Sequence, residues 1–190
     1  MPRREKETRL NLWDFDDTLV ASRKVAEQLY ADYPDIKREE WWHDENVSTH
    51  AALLTPAISS NWSAMSSTKG EHWILTGRVL GAVLAWLEEN ASDPAVNGAL
   101  DRLIDVVSTS GRKWKGEAEG TAARKAEFVA GICEDWEEVH LYDDTPENLE
   151  AVLELCPKVI PHLVRAGEIV DFERAPDDVE LVQSSASGIK

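Results

Sequence analysis

Three short apolar runs in this chain each end on groups that can do chemistry. RLNLW (9–13) runs into Asp14-Phe15-Asp16-Asp17, HWIL (72–75) into Thr76-Gly77-Arg78, and VHLY (139–142) into Asp143-Asp144-Thr145. A run of four or five residues, three of them apolar, suits a short strand in a buried sheet. Between the runs lie helical patterns. Val79, Leu80, Val83, Leu84, Trp86 and Leu87 recur at helical spacing. Thr121 caps a helix through Phe128 and Ile132, and Pro146 opens PENLEAVLEL at its first position. Leu103–Val107 and Lys158–Val164 supply two further strands. Strands alternating with helices predict a three-layer α/β sandwich around a doubly wound parallel sheet. In such sheets ligands sit beyond the carboxyl ends of the strands, where these polar groups fall.

The length of 190 residues accommodates one such domain, here 1–175, with a small insertion. Residues 20–70 read as that insertion, a cap or lid: a helical start from Ser22 to Tyr30, then WWHDEN, then an irregular Ser/Thr/Asn-rich stretch. Residues 176–190 read as a frayed tail. No run approaches the ~18 apolar residues of a membrane span. The basic start is not followed by a signal-peptide core. Cys133 and Cys156 form no CxxC pair, which argues against a disulfide scaffold or a cysteine zinc site and for a reducing cytoplasm.

Charge narrows the partners. Twenty basic residues against 36 acidic ones leave −16, a field that opposes a nucleic-acid backbone. The imbalance is concentrated: residues 134–180 hold fifteen acids and three basic residues. Arg112, Lys113, Lys115, Arg124 and Lys125 form a local basic run, which is either a solvated loop or an anion-facing track. Trp41, Trp42 and Trp62 either stack on a base or sugar or pack a small insertion. His43 and His50 have no metal-ligand spacing and read as surface residues.

Taken together, the strand-end groups suit phosphoryl transfer. That chemistry needs a nucleophile, a Mg²⁺ ion held by carboxylates, and donors for the phosphoryl oxygens. Aspartate can be the nucleophile. Asp14 and Asp16 share a loop at one strand end, and Asp143 and Asp144 end another. Thr76 offers a hydroxyl, a helix beginning near Gly77 offers free N–H groups, and Lys125 offers a positive charge. Arg78 is either a phosphate ligand or the partner of an acid.

DFDDT (14–18), LTGR (75–78), the helix-borne Lys125 and YDDTPEN (142–148) resemble, in order, the four motifs of the haloacid dehalogenase superfamily. Residues 34–78 and the helix carrying Lys125 are loosely similar to its Swiss-Army-knife RNA-repair-like group. The resemblance implies that Asp14 attacks phosphorus and that Asp16 protonates the leaving oxygen and then activates water. It also implies that Thr76 holds the phosphoryl oxygens and that Lys125 steadies Asp14 and the phosphate, with Gly77 and, on one of its two readings, Arg78 as further phosphate-binding candidates. Mg²⁺ would lie among Asp14, the Asp16 carbonyl, Asp144 and, as a weaker candidate, Asp143. Asn148 stands where the superfamily often has an acid. The expected activity is phosphomonoester hydrolysis through an aspartyl-phosphate, on a nucleotide or a nucleic-acid end, with a small sugar phosphate as the alternative substrate. A receiver-type signalling module uses similar groups, but its acidic pair precedes the phosphorylated aspartate, the reverse of the order here.

Overall fold

A computed structural model describes residues 8–32, 34, 45–110 and 118–173 of the chain. Trp41, Trp42, His43, Arg112, Lys113, Lys115 and the tail 176–190 lie outside the described residues.

The sheet has six strands: β1 (Arg9–Trp13), β2 (Glu71–Thr76), β3 (Leu103–Ser108), β4 (Glu138–Asp143), β5 (Ile160–Arg165) and β6 (Glu168–Asp171). Their order is β3-β2-β1-β4-β5-β6. The first five run parallel, and β6 returns antiparallel against β5. The chain builds outward from β1 to β3, then crosses back to place β4 on the other side of β1. Ligands of such sheets bind at the point of that reversal, and Asp14 and Asp143 stand there, at the ends of β1 and β4.

Alternation along the strands divides the core. Leu10, Leu12, Leu75, Leu141 and Leu163 face one way, towards α6 (Thr121–Ile132) and α7 (Pro146–Leu155). Trp13, Ile74, Tyr142 and Val164 face the other way, towards α3 (Ser59–Ser67), α4 (Leu80–Glu89) and α5 (Pro94–Leu100). The sandwich therefore has the three expected layers. Aromatic rings lock the second face: Trp13 stacks on Tyr142 with centroids 3.8 Å apart, and Tyr142 on His162 at 4.3 Å. Trp13 Nε1 donates to His72 Nδ1 (3.1 Å), which leaves His72 Nε2 to donate to the Thr68 carbonyl (3.0 Å).

The insertion is more regular than its composition suggests. A 3₁₀ turn (Ser22–Val25), α1 (Ala26–Asp32) and α2 (Glu45–Leu54) precede α3. Val25, Leu29, Val47 and Ala51 make a small core of their own. Asn61, Trp62 and Met65 bury one side of α3, overriding its weak helix formers. Trp62 stacks on Trp86 at 5.5 Å and donates to the Leu19 carbonyl (2.9 Å), so it is a packing residue, not a platform for a base.

Three expectations on local structure are corrected. The helix after Thr76 starts at Leu80 with Val79 as its cap, not near Gly77. Thr121 is the first residue of α6, and the cap position is Gly120 at φ +83°, a conformation that glycine adopts without strain. Cys133 and Cys156 are disulfide-bonded across 23 residues, tying the ends of α6 and α7. Packing of those two helices brings together thiols that sequence spacing leaves unrelated. Such a bond persists in oxidising surroundings, which removes the argument for a reducing compartment. No described helix is long and apolar enough to cross a membrane.

Candidate active site

The loop after β1 carries the first group of acids and is anchored on every side. The Asp14 N–H donates to the Tyr142 carbonyl (2.8 Å), binding the end of β1 to β4. Phe15 is buried, and its carbonyl accepts from the N–H groups of Leu19 (2.9 Å) and Val20 (3.0 Å). Asn61 donates to the Thr18 carbonyl (2.7 Å), and the Ile58 N–H to that of Leu19 (2.8 Å). Asp17 sits at φ +53°, a left-handed position that short acids tolerate better than bulky residues. The insertion thus fixes the loop that holds Asp14 and Asp16.

Lys125 lies at the centre. It projects from the second turn of α6, is 1% exposed, and places Nζ 2.8 Å from Asp14 Oδ1 and 2.7 Å from Asp143 Oδ2. Burial alone would depress its pKa. Asp14 and Asp143 outweigh that, and the ammonium is held above its ordinary range. The same burial pushes Asp14 well above the usual carboxylate range. Lys125 opposes the shift, while Asp143 and Asp16 add to it. One ammonium shared by two buried carboxylates leaves a negative charge uncompensated.

Asp143 is fully buried and its acceptors are occupied. Besides Lys125, it accepts from the Thr145 N–H (2.9 Å) and from Asn148 Nδ2 on both oxygens (2.9 and 3.0 Å). Asn148 therefore orients Asp143 without adding the charge that an acid would bring. Asp144 follows Asp143, its side chain 10% exposed. Its Oδ1 accepts from the Thr145 hydroxyl (3.2 Å), and its Oδ2 lies 2.6 Å from Arg23 Nη2. Burial, then Asp143 and Asp17, push its pKa up to about 6 against the pull of Arg23.

Asp16 points elsewhere. Its carboxylate takes the Arg78 guanidinium through Nε (3.1 and 3.0 Å) and Nη2, and it also accepts from the Ser22 hydroxyl. Arg78 is 1% exposed and donates further to the Ser48 carbonyl of α2 (2.9 Å). Arg78 is thus the partner of an acid in this structure. Thr76 is buried at the end of β2, its hydroxyl accepting from the Arg78 N–H (3.0 Å). Gly77 is required by close packing: a Cβ there would lie 2.8 Å from Thr121 Cγ2, at the start of α6.

Asp14, Asp143 and Asp144 each present an oxygen within 4.8 Å of the others, a set of hard donors suited to a small divalent cation. Formal charge agrees. Among the described residues, Asp14, Asp16, Asp17, Asp143 and Asp144 face Lys125, Arg78 and Arg23, leaving a balance of −2. The Asp16 side chain is outside that donor set. Sequence reasoning missed Ser22, Arg23 and Ser48, because none belongs to a motif and each reaches the site through the fold.

No protein-family model matches the chain, and no curated protein is similar to it. Solved structures are similar. The UTR4 protein of Saccharomyces cerevisiae superimposes with a TM-score of 0.52 at 11% identity, over 92% of this chain and all of that one. A protein of Burkholderia xenovorans described as a haloacid dehalogenase-like hydrolase gives a TM-score of 0.48 at 11% identity, over 82% of this chain and 83% of that one. Likeness at this identity is a likeness of fold. The chain shares with the yeast protein the fold of an α/β sandwich around a mostly parallel sheet, and the polar groups that end β1, β2 and β4 gather at one end of that sheet.

Proposed function

We propose that the protein is a Mg²⁺-dependent phosphohydrolase that cleaves a phosphomonoester through an aspartyl-phosphate on Asp14. The observation that carries this reading is the Lys125 ammonium held between Asp14 (2.8 Å) and Asp143 (2.7 Å), with an oxygen of Asp144 within 4.8 Å of theirs. A carboxylate in that setting is fixed and partly neutralised, as a nucleophile approaching a phosphate must be. Lys125 occupies Asp14 Oδ1, which leaves Oδ2 to form the bond to phosphorus while the bond to the leaving oxygen breaks. Asp16, having taken a proton from solvent on leaving Arg78, gives it to that oxygen and then regains one from the water that attacks the phosphoryl-aspartate, releasing phosphate and restoring Asp14. Serving in this way requires Asp16 to loosen its hold on Arg78 and Ser22. Thr76 and the Gly77 N–H would hold phosphoryl oxygens. Asp14, Asp144 and the Asp16 carbonyl would hold the cation, with Asp143 orienting Lys125. Bound there, Mg²⁺ supplies positive charge between a carboxylate nucleophile and a phosphate dianion.

The substrate we favour is a phosphate on a nucleotide or at a nucleic-acid end. Its support is the basic residues Arg112, Lys113 and Lys115 in the sequence and the loose repair-like resemblance. The charge of −16 favours the second reading, a small sugar phosphate. A hydrolysis screen over nucleotides, sugar phosphates and 3′- or 5′-phosphorylated oligonucleotides, with and without Mg²⁺, tests both readings. Hydrolysis of the oligonucleotides no faster than of the sugar phosphates would reject the first. Activity indifferent to chelation would reject the metal. Asp144→Ala should raise the Mg²⁺ concentration needed for activity more than Asp143→Ala does, and equal effects would contradict the assignment.

A further inference from the structure

Arg23 has no place in the four motifs, yet it closes the acidic cluster from outside. It stands on the 3₁₀ turn that opens the insertion, 121 residues from Asp144 in sequence. Its guanidinium is shared: Nε lies 3.0 Å from Asp17 Oδ2, and Nη2 lies 2.6 Å from Asp144 Oδ2. The Arg23 N–H also donates to Asp17 Oδ1 (3.0 Å), so backbone and side chain are tied to the same acid. The two ends of the fork differ in kind. The Asp17 end is a double anchor on a fixed loop, whereas the Asp144 end is a single contact to one oxygen. That oxygen's carboxylate belongs to the donor set suited to a divalent cation. The side chain is 77% exposed, so its ion pairs rather than burial hold it in this pose, while the Asp144 side chain is 10% exposed. Lys125 and Arg78, the other two cations, are buried and cannot leave.

We propose that Arg23 is an exchangeable cation. It neutralises Asp144 until a divalent cation takes that carboxylate. Its freed Nη end, still anchored on Asp17, then binds the anionic group of the substrate. The inference rests on the phosphohydrolase reading and deepens it by adding a residue from the insertion to the phosphate subsite. Charge supports the exchange. A cation entering beside Asp144 displaces like charge, and a phosphate dianion arriving next restores a partner for the guanidinium.

Two affinities with opposite signs make the test. Isothermal titration of the metal-free chain with Mg²⁺ compares wild type with Arg23→Gln. Wild-type Arg23 must be displaced, so the variant should bind Mg²⁺ roughly two- to fivefold more tightly, the worth of one partly exposed ion pair. Titration of the Mg²⁺-saturated chains with inorganic phosphate should show the variant binding roughly tenfold more weakly, as expected for a lost charge-assisted contact. Lys24→Gln, a neighbouring exposed cation without these contacts, should leave both affinities unchanged. Unchanged or weaker Mg²⁺ binding in Arg23→Gln would overturn the exchange. Tighter Mg²⁺ with unaltered phosphate binding would overturn the transfer to substrate. Equal effects from Lys24→Gln would reduce both to diffuse charge. A wild-type chain that binds no Mg²⁺ would instead bring down the phosphohydrolase reading itself.

Discussion

Replacing Lys125 by methionine keeps the aliphatic bulk of α6 and removes the charge that separates Asp14 from Asp143. Lys125 is 1% exposed, Asp143 is fully buried and Asp14 is 6% exposed, so water cannot replace the ammonium. Breaking a buried ion pair by removing one partner costs about 3–5 kcal/mol. For a chain of this size each kcal/mol shifts Tm by about 2–4 °C, giving a fall on the order of 10 °C. Activity should fall by at least about a hundredfold if Asp14 is the nucleophile proposed above, since it loses its fixed partner. Stability and catalysis can then be separated. Adding Asp143→Asn to Lys125→Met removes one of the two repelling carboxylates, while the new amide oxygen can still accept from Thr145 N–H and Asn148. The double variant should recover about half of the lost stability and none of the activity. Thermal melts and a hydrolysis assay on the four proteins of the cycle decide it. A single variant that melts within about 2 °C of wild type, or a double variant less stable than the single, would refute the account of the buried charge.

The same structure constrains other substitutions. Gly77→Ala should cost about 1–3 kcal/mol and slow turnover, because Thr121 must yield and α6 carries Lys125 with it; Thr121→Ala should rescue both. His162 is depressed to about 4 by burial first, with the neighbouring His140 and Arg9 adding to it. The unfolded ring takes its proton near 6.5 while the folded ring resists it. Its contribution is therefore complete above 6.5 and is lost as pH falls towards 4. After discounting for partial exposure, His162→Gln should remove about 1–2 kcal/mol of the stability difference between pH 7.5 and 4.5, read from paired denaturant melts. Reducing the Cys133–Cys156 bond, which spans 23 residues, should lower stability by about 3 kcal/mol, measured by denaturant unfolding with and without reductant.

The elements legible in the sequence were those whose local signal and tertiary role agree. β1, β2 and β4 are apolar because both faces are covered, and α7 begins where Pro146 permits a helix to begin. Asp14 and Asp143 are legible because strand ends are fixed by periodicity, whereas Lys125 competes with Lys113 and Lys115 in sequence and is preferred only for its place on the helix that follows Thr121. Other elements gave weaker signals. β6 is a short, mostly exposed edge strand, and its hairpin turns on Ala166 and Gly167 at φ +52° and +83° without the usual Asn-Gly pair. α5 did carry a signal, Asp93 capping the N–H groups of Ala95 and Val96 ahead of Pro94, that the pattern of strands obscured. α3 forms because Trp62 and Met65 find a core, a fact of packing that its Ser-rich sequence does not contain. Arg78 with Asp16, and Arg23 with Asp144, are contacts across 62 and 121 residues between groups whose sequence neighbours give no reason to pair.

The central claim is that Asp14 becomes covalently phosphorylated, and acid-quenched single turnover followed by peptide mapping addresses it most directly. The account predicts one phosphoryl group on the peptide that contains Asp14, sensitive to hydroxylamine as an acyl phosphate must be. Asp14→Asn should show neither the adduct nor turnover while melting normally, since the amide is nearly isosteric but a very poor nucleophile. Full turnover with no phosphoryl group on Asp14, or turnover in Asp14→Asn above about a hundredth of wild type, would contradict it.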